Sequence, residues 1–328
     1  MAKNFTICVG TLGMGLWRSA DGGKSWARGK LWNGYQGGRS VFGLAVHPQD
    51  PRIIYAGADD GIYRSEDRGA AFEHIESPLD AYNVWRIVID PVNPDTMFAG
   101  TALPALFRSR DGGLHWEKLS AEFATECMNV TKPRVTALVV DPLDHNFVWA
   151  GVEVDGVRVS RDGGETWTRP SGGLMDEPDI HDIKILPGKP GAAVVTIPDE
   201  LCVSTDGGAN WQAIGVRGRF PLPYCRNVVF KLDEPNVILA AIGDDALGGL
   251  GALQRSTDGG HSWETPLLPI TPNTHMECFA THAADPNLIL ACSHYGQLFA
   301  SSDGGEWWVK LPREFTEIRG ALAWVPNE

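Results

Sequence analysis

Short apolar runs that end in a proline turn recur along this chain, and each is followed by a second run ending in Ala-Gly. Val84-Trp85-Arg86-Ile87-Val88-Ile89-Asp90-Pro91 leads into Thr96-Met97-Phe98-Ala99-Gly100. The same phrase runs from Val41 to Pro48 with Ile53 to Gly57, and from Val135 to Pro142 with Phe147 to Gly151. Runs of this length, rich in β-branched and aromatic residues and bounded by turn formers, read as strands.

An octapeptide of the form Ser-x-Asp-x-Gly-x-x-Trp follows each such pair. It occurs at Ser19 to Trp26, Ser65 to Phe72, Ser109 to Trp116, Ser160 to Trp167, Ser204 to Trp211, Ser256 to Trp263 and Ser301 to Trp308. Its aspartates (Asp21, Asp67, Asp111, Asp162, Asp206, Asp258 and Asp303) are spaced by 44 to 52 residues, the length of one four-stranded blade. Strand A is then the run before the proline, strand B ends in Ala-Gly, strand C enters the octapeptide and strand D leaves from its Trp.

Before the first octapeptide stands only Phe5-Thr6-Ile7-Cys8-Val9-Gly10, which matches strand B. After the last comes Ile318-Arg319-Gly320-Ala321-Leu322-Ala323-Trp324-Val325-Pro326, which matches strand A. The pattern therefore predicts an all-β chain: a single seven-bladed β-propeller of four-stranded antiparallel blades over residues 1–328, closed by the C-terminal strand joining the N-terminal blade. Closure removes two open sheet edges.

The octapeptide resembles the Asp-box, or BNR repeat, of sialidases, sortilin-type receptors, xyloglucanases and a photosystem II assembly factor. The resemblance covers essentially the whole chain and implies a structural module rather than an activity. Its chemistry is that of a hairpin turn: the carboxylate accepts backbone N–H groups, glycines permit positive φ, and the Trp folds over the hairpin. Seven equivalent aspartates are expected to be structural, because a catalytic site needs asymmetry.

Composition narrows the partners. The net charge of −13 argues against nucleic acid and anionic membranes, which need a basic surface. No run approaches the roughly 18 apolar residues of a membrane span, and Met1-Ala2-Lys3-Asn4-Phe5 has no signal-peptide core. The six cysteines (Cys8, Cys127, Cys202, Cys225, Cys278 and Cys292) show no CxxC or metal-ligand spacing. A reduced, cytoplasmic protein is expected.

Candidate chemistry lies where the repeats stop agreeing. Octapeptides and A–B turns share one face, so the D–A connections and B–C loops converge on the opposite mouth of the central channel, where propellers bind ligands. Aligned on the proline turns, one strand A position carries Phe42, Trp85, Thr136, His181, Arg226, Glu277 and Gly320. Just before it come Ser40, Asn83, Arg134, Asp179, Tyr224, His275 and Ile318. His181, Arg226, His275 and Glu277 are the candidate catalytic residues, with Arg134, Tyr224, Asp179, Asn83, Arg39 and His294 as candidate substrate-binding residues. Arg86 and Arg319 are further arginines near the channel, where inter-blade ion pairs would explain them equally well. B–C loops add Asp59-Asp60, Glu153 with Asp155, Asp199-Glu200, Asp244-Asp245 and His294-Tyr295, and the Gly-rich loop from Gly243 to Gly251 is expected to bend over the channel as a lid or rim.

Two function classes stay open. One is a small-molecule-processing enzyme, a hydrolase or lyase acting in the channel on a carbohydrate or another anionic or polar substrate. Resemblance to sialidases would give arginines the substrate carboxylate. However, the N-terminal Tyr/Phe-Arg-Ile-Pro motif is missing, Arg86-Ile87 is followed by Val88, and seven blades replace the usual six. Xyloglucanases face two propellers across a cleft, and only one is present here. The sequence specifies no cofactor; His181, His275 and His294 with Glu277 or Glu153 have the chemistry to hold a divalent metal ion. The alternative is a scaffold that binds a protein partner, with Trp17, Trp32 and Trp307 outside the consensus Trp positions as a candidate patch.

Overall fold

In the computed structural model, which describes residues 4–31, 38–126, 133–170, 172–175 and 178–328, seven antiparallel sheets follow one another around a ring. Blade one combines Leu322–Pro326 with Phe5–Thr11, Gly15–Ser19 and Ala27–Arg28, so the C-terminal strand closes the ring as its pattern predicts. Phe5 pairs with Pro326 and Val9 with Leu322. Blade two is Val41–Val46, Ile54–Ala58, Gly61–Ser65 and Ala71–Ile75, with Lys30–Leu31 added in parallel at its outer edge as a fifth strand. Asn83–Ile89, Met97–Ala102, Leu106–Ser109 and Glu117–Lys118 form blade three. Blade five runs Asp182–Ile185, Ala193–Ile197, Glu200–Ser204 and Gln212–Ala213, and blade seven runs Met276–Ala280, Ile289–Ser293, Gln297–Ser301 and Val309–Glu314.

Blades four (Val135–Val140, Val148–Val152, Gly156–Ser160) and six (Tyr224–Phe230, Ile238–Gly243, Gly251–Ser256) keep three named strands. Their fourth shrinks to one bridge each, Val159 with Thr168 and Arg255 with Glu264. The outermost strand has a neighbour on one side only, so little is lost when it is short.

Strand B is buried along its length in most blades, as at Ile54–Ala58 and Val148–Val152. Both faces of each sheet are covered by neighbouring blades, so these strands read as continuous apolar runs rather than alternating ones. A separate apolar cluster fills each of the seven junctions; Phe98 and Leu106 of blade three meet Val135 and Val148 of blade four, for example. The Ala-Gly signature follows from this convergence, since a Cβ on Gly57 would lie 2.5 Å from the Val84 carbonyl of the next blade.

The Asp-box turns have the expected chemistry. In the first, Ser19 Oγ donates to Asp21 Oδ1 (2.8 Å) and accepts from Gly23 N (2.8 Å), while Asp21 Oδ1 accepts from Ser25 N (2.9 Å). Gly22 N reaches back to the Phe5 carbonyl, and the corresponding bond recurs in every blade, which places A–B turns and Asp-boxes on one face. Arg68 takes the first glycine's place in blade two at φ 57°, and its Nε donates to the Pro326 carbonyl of the closing strand (3.0 Å). Cys8, Cys202, Cys225, Cys278 and Cys292 are buried free thiols; Cys127 and Trp32 lie outside the described residues. No helix of the described residues is long and apolar enough to cross a membrane.

Ring closure and the turn carboxylates can each be tested. Deleting residues 317–328 removes strand A of blade one and bares the Phe5–Thr11 edge; the truncated protein is expected to aggregate or lose its cooperative melt, measured by circular dichroism and size-exclusion chromatography. For the carboxylates the variable is acid. Hydrogen bonds from the Ser25, His115 and Thr166 backbone and side chains hold Asp21, Asp111 and Asp162 at about 2. A carboxylate depressed in the folded state stabilises it above its ordinary value near 3.8 and stops doing so as pH falls through the folded value. The melting temperature should therefore drop between pH 4 and pH 2, and a flat profile there would refute the assignment.

Candidate functional site

The strand A position singled out by the repeat alignment is a β-bulge. Pairing with strand B skips Phe42, Trp85, Thr136, Arg226 and Glu277, each falling at a register shift next to the channel. A bulge re-aims the extra side chain and leaves its backbone groups outside the ladder. Here that sends five side chains of differing chemistry toward the axis.

On the side of blades one to four, the bulge carbonyls are gathered by one residue. The Arg86 guanidinium donates to the carbonyl oxygens of Thr136 (2.6 Å), Trp85 (2.9 Å), Phe42 (3.2 Å) and Arg319 (2.9 Å). Burial pulls its pKa down, opposed by the charge of Glu277. Gly320 (φ 93°) leaves it room, because a Cβ there would lie 2.8 Å from Arg86 Nη2. Above this hub Phe42 stacks on Trp85 (4.4 Å) and the Arg134 guanidinium lies over Trp85 (4.6 Å) while pairing with Glu153 (2.5 Å).

Blades five to seven bring together most of the candidate residues. Arg226 grips Glu277 with two hydrogen bonds, Nε to Oε2 at 3.1 Å and Nη2 to Oε1 at 3.0 Å, and both are buried. Burial opposes both charges, but Glu277 with Tyr224 and Asp179 raises the Arg226 pKa, and Arg226 with His275 and His294 holds Glu277 well below the usual carboxylate range. His275 Nε2 lies 3.0 Å from Glu277 Oε2. A carboxylate can only accept, so Nε2 carries the proton and Nδ1 the lone pair. That Nδ1 is buried and makes no hydrogen bond. Burial also lowers the His275 pKa, keeping the ring neutral near pH 7.

Around this pair His294 stacks on His275 (4.8 Å), with Nδ1 3.6 Å from Glu277 Oε2 and Nε2 3.6 Å from Glu317 Oε2. Tyr224 sets its ring against His275 (5.2 Å) and its hydroxyl 3.4 Å from His181 Nε2; burial pushes the phenol up to about 12. His181 Nδ1 donates to the Cys225 carbonyl (2.6 Å), and Nε2 lies 3.2 Å from Asp179 Oδ2. Burial works against the Asp179 charge, but His181 brings its pKa below the ordinary value.

Arg39 is engaged with Asp59 and Asp60, and Asn83 is exposed at the start of its strand. Neither touches the His275 group. Glu200 is a loop clasp, accepting from the backbone of Leu201, Gly215 and Val216. Asp155 is tied to Arg158 (2.7 Å) and Ala124 N (2.8 Å). The loop from Gly243 to Gly251 is a folded rim rather than a hinged lid, since the Asp244 carboxylate collects Asp245, Gly249 and Leu250 backbone N–H groups.

The donor atoms of His275, Glu277 and His294 lie within 4.8 Å of one another, a composition that suits a divalent ion. As placed, the His275 N–H and Arg226 both bond Glu277, so an ion would have to displace that proton. Among the buried polar atoms that form no hydrogen bond with described residues are Asp59 Oδ1, Trp85 Nε1, Glu153 Oε2, Asp179 Oδ1, His275 Nδ1, His294 Nδ1 and Arg319 Nε. Buried polar groups are ordinarily paired, so these exceptions, drawn from six blades, stand out. The sequence alignment located the positions but not this shortage of partners.

Comparison with known proteins agrees with the architecture. The BNR/Asp-box repeat family model matches residues 158–169. The chain is 26% identical over 327 residues to "Xyloglucanase Xgh74A" of Acetivibrio thermocellus, covering 84% of this chain and 38% of that protein. The chain thus spans well under half the length of the curated relatives it matches. Among solved structures, the GH74 xyloglucanase of Xanthomonas campestris superposes with TM-score 0.69 at 20% identity, covering 98% of this chain and 52% of that one. YCF48 from Cyanidioschyzon merolae gives 0.59 at 15% identity, covering 83% and 84%. By sequence and structure alike, the chain is a seven-bladed propeller built from Asp-box repeats.

Proposed function

We propose that the chain is a carbohydrate-processing hydrolase whose site is the channel mouth opposite the Asp-box turns. The observation that carries this reading is His275: a neutral imidazole fixed by Glu277, its other nitrogen buried and unpartnered. A base whose tautomer is set by a third group is the general arrangement for activating a nucleophile. His275 Nδ1 would take a proton from water as it attacks the anomeric carbon. The glycosidic C–O bond breaks, and the departing oxygen is protonated by the Tyr224 phenol, which regains its proton from the imidazolium. Glu277, held ionised by Arg226, orients the ring and does not donate a proton itself. The free oxygens of Asp179 and Glu153 accept sugar hydroxyls, and the protonated Tyr224 phenol is a donor. An oriented base would also serve a lyase; the xyloglucanase relatives weigh for hydrolysis and for a plant-type β-glucan as the substrate to try.

The test is turnover on xyloglucan and its oligosaccharides. His275→Gln is expected to lower kcat about 10²- to 10⁴-fold while leaving the melting temperature in place. Because burial lowers the His275 pKa, and protonation removes the base, the acid limb of the rate profile should fall below pH 6.5, the ordinary histidine value. Undiminished turnover in the variant, or a limb above 6.5, would sink the role of His275. No turnover on any glycan, with a protein partner retained by His275→Gln, would instead favour the scaffold class.

Arg226 and Glu277 should behave differently from His275. They join blades six and seven as a buried ion pair, so Glu277→Gln leaves a buried guanidinium without its counter-charge. A loss of about 3–5 kcal/mol in urea-induced unfolding is expected, and an unchanged midpoint would show that the pair is not an inter-blade tie.

A further inference from the structure

The seventh position of the Asp-box supplies an internal control. In five boxes its side chain ties down the outer oxygen of the box aspartate: Ser25 to Asp21 (2.6 Å), His115 to Asp111 (2.6 Å), Thr166 to Asp162 (2.5 Å), Asn210 to Asp206 (2.8 Å) and Ser262 to Asp258 (2.6 Å). Blade two has Ala71 there, a residue with nothing to donate. Blade seven has Trp307, and Asp303 accepts at Oδ1 alone, from Ser301, Glu306 and Trp307. The indole is 70% exposed. A large aromatic ring has thus taken the place of a turn-stabilising polar group without being buried.

Trp307 stands over a cleft of roughly 460 Å³ between blades seven and one, on the face opposite the channel site. Phe5, Leu288 and Leu311 are among its apolar lining, and Asp303, Ser302 and Lys24 its polar edge. The volume lies in the range of small-molecule sites. A flat exposed ring, an apolar floor and a rim holding a carboxylate oxygen beside an ammonium and a hydroxyl suit an uncharged amphipathic ligand. A pyranose has that chemistry: its C–H face lies on an aromatic ring while its hydroxyls bond the rim. Trp17, also outside the consensus positions, is already covered by Arg313 (3.8 Å) and Arg28 (5.1 Å), while Trp85, Trp149 and Trp324 are buried.

We infer that the cleft under Trp307 is a second, non-catalytic glycan-binding site, which holds a polysaccharide on the Asp-box face. The choice of glycan rests on the hydrolase reading above; the cleft itself does not.

The experiment is affinity electrophoresis of the full chain through gels containing xyloglucan, with calorimetry on cello-oligosaccharides. Trp307→Ala is expected to weaken retention about tenfold, Trp307→Phe to recover part of it, and His275→Gln to bind like the unaltered protein. Turnover of short soluble oligosaccharides by Trp307→Ala should be unchanged. Equal retention of Trp307→Ala and the unaltered protein, or no retention of either, overturns the inference. A Trp307-dependent response to a lysine-rich peptide and none to glycans would assign the cleft to a cationic segment, and overturns it too. Trp307-dependent glycan binding without any hydrolysis would defeat the hydrolase reading and leave this site standing.

Discussion

Seven inner strands converge on one axis, and every backbone carbonyl freed there by a bulge has to find a donor. An unpaired buried carbonyl costs about 1–3 kcal/mol. Arg86 meets this constraint for three bulge carbonyls and for Arg319, joining the inner strands of blades one to four through a single guanidinium. Elsewhere a hydroxyl and an imidazole fill the same role. Thr196 Oγ1 donates to the Arg226 carbonyl (3.1 Å) and His181 Nδ1 to that of Cys225.

This unequal solution gives the ring its polarity. Blades one to four carry Gly10, Gly57, Gly100 and Gly151 where strand B meets the neighbouring strand A, and their channel side is filled by stacked aromatic rings around Arg86. Blades five to seven have Thr196, Ala241 and Cys292 at that place; Arg226 and Glu277 sit at the bulges of blades six and seven, and His181 stands just ahead of the first strand pair of blade five. Placing a guanidinium and a carboxylate in this interior demands that they pair. Their pairing in turn fixes His275, whose Nδ1 the packing leaves buried and without a hydrogen bond.

The two faces have opposite logic. On the Asp-box face the serine and aspartate of each box are taken up by bonds within their own turn. Around the channel mouth, buried oxygens and nitrogens from six blades make no hydrogen bond with described residues. Trp307 breaks the pattern of the first face, much as the blade-five to blade-seven residues break the pattern of the second.

The number of blades, the ring closure and the chemistry of the turns were all legible in the chain alone. Those features depend on short-range patterns, such as apolar runs, turn residues at fixed offsets and a repeated octapeptide, and the chain prints them in order. Comparing repeats also found the positions of His181, Arg226 and Glu277, since a bulge occupies the same place in most blades. What the repeats could not show is the role of each residue. That Arg226 is spent on Glu277, that His275 keeps a free nitrogen, that Arg86 is a hub of carbonyls and that the Gly243 loop is a rim rather than a lid were decided by tertiary structure. Arg226 and Arg86 find partners on other blades, and hydrogen-bond partners at that separation leave no local mark in the sequence. His275 and the Gly243 loop bond residues close in the chain, but only the folded strand and loop set the geometry.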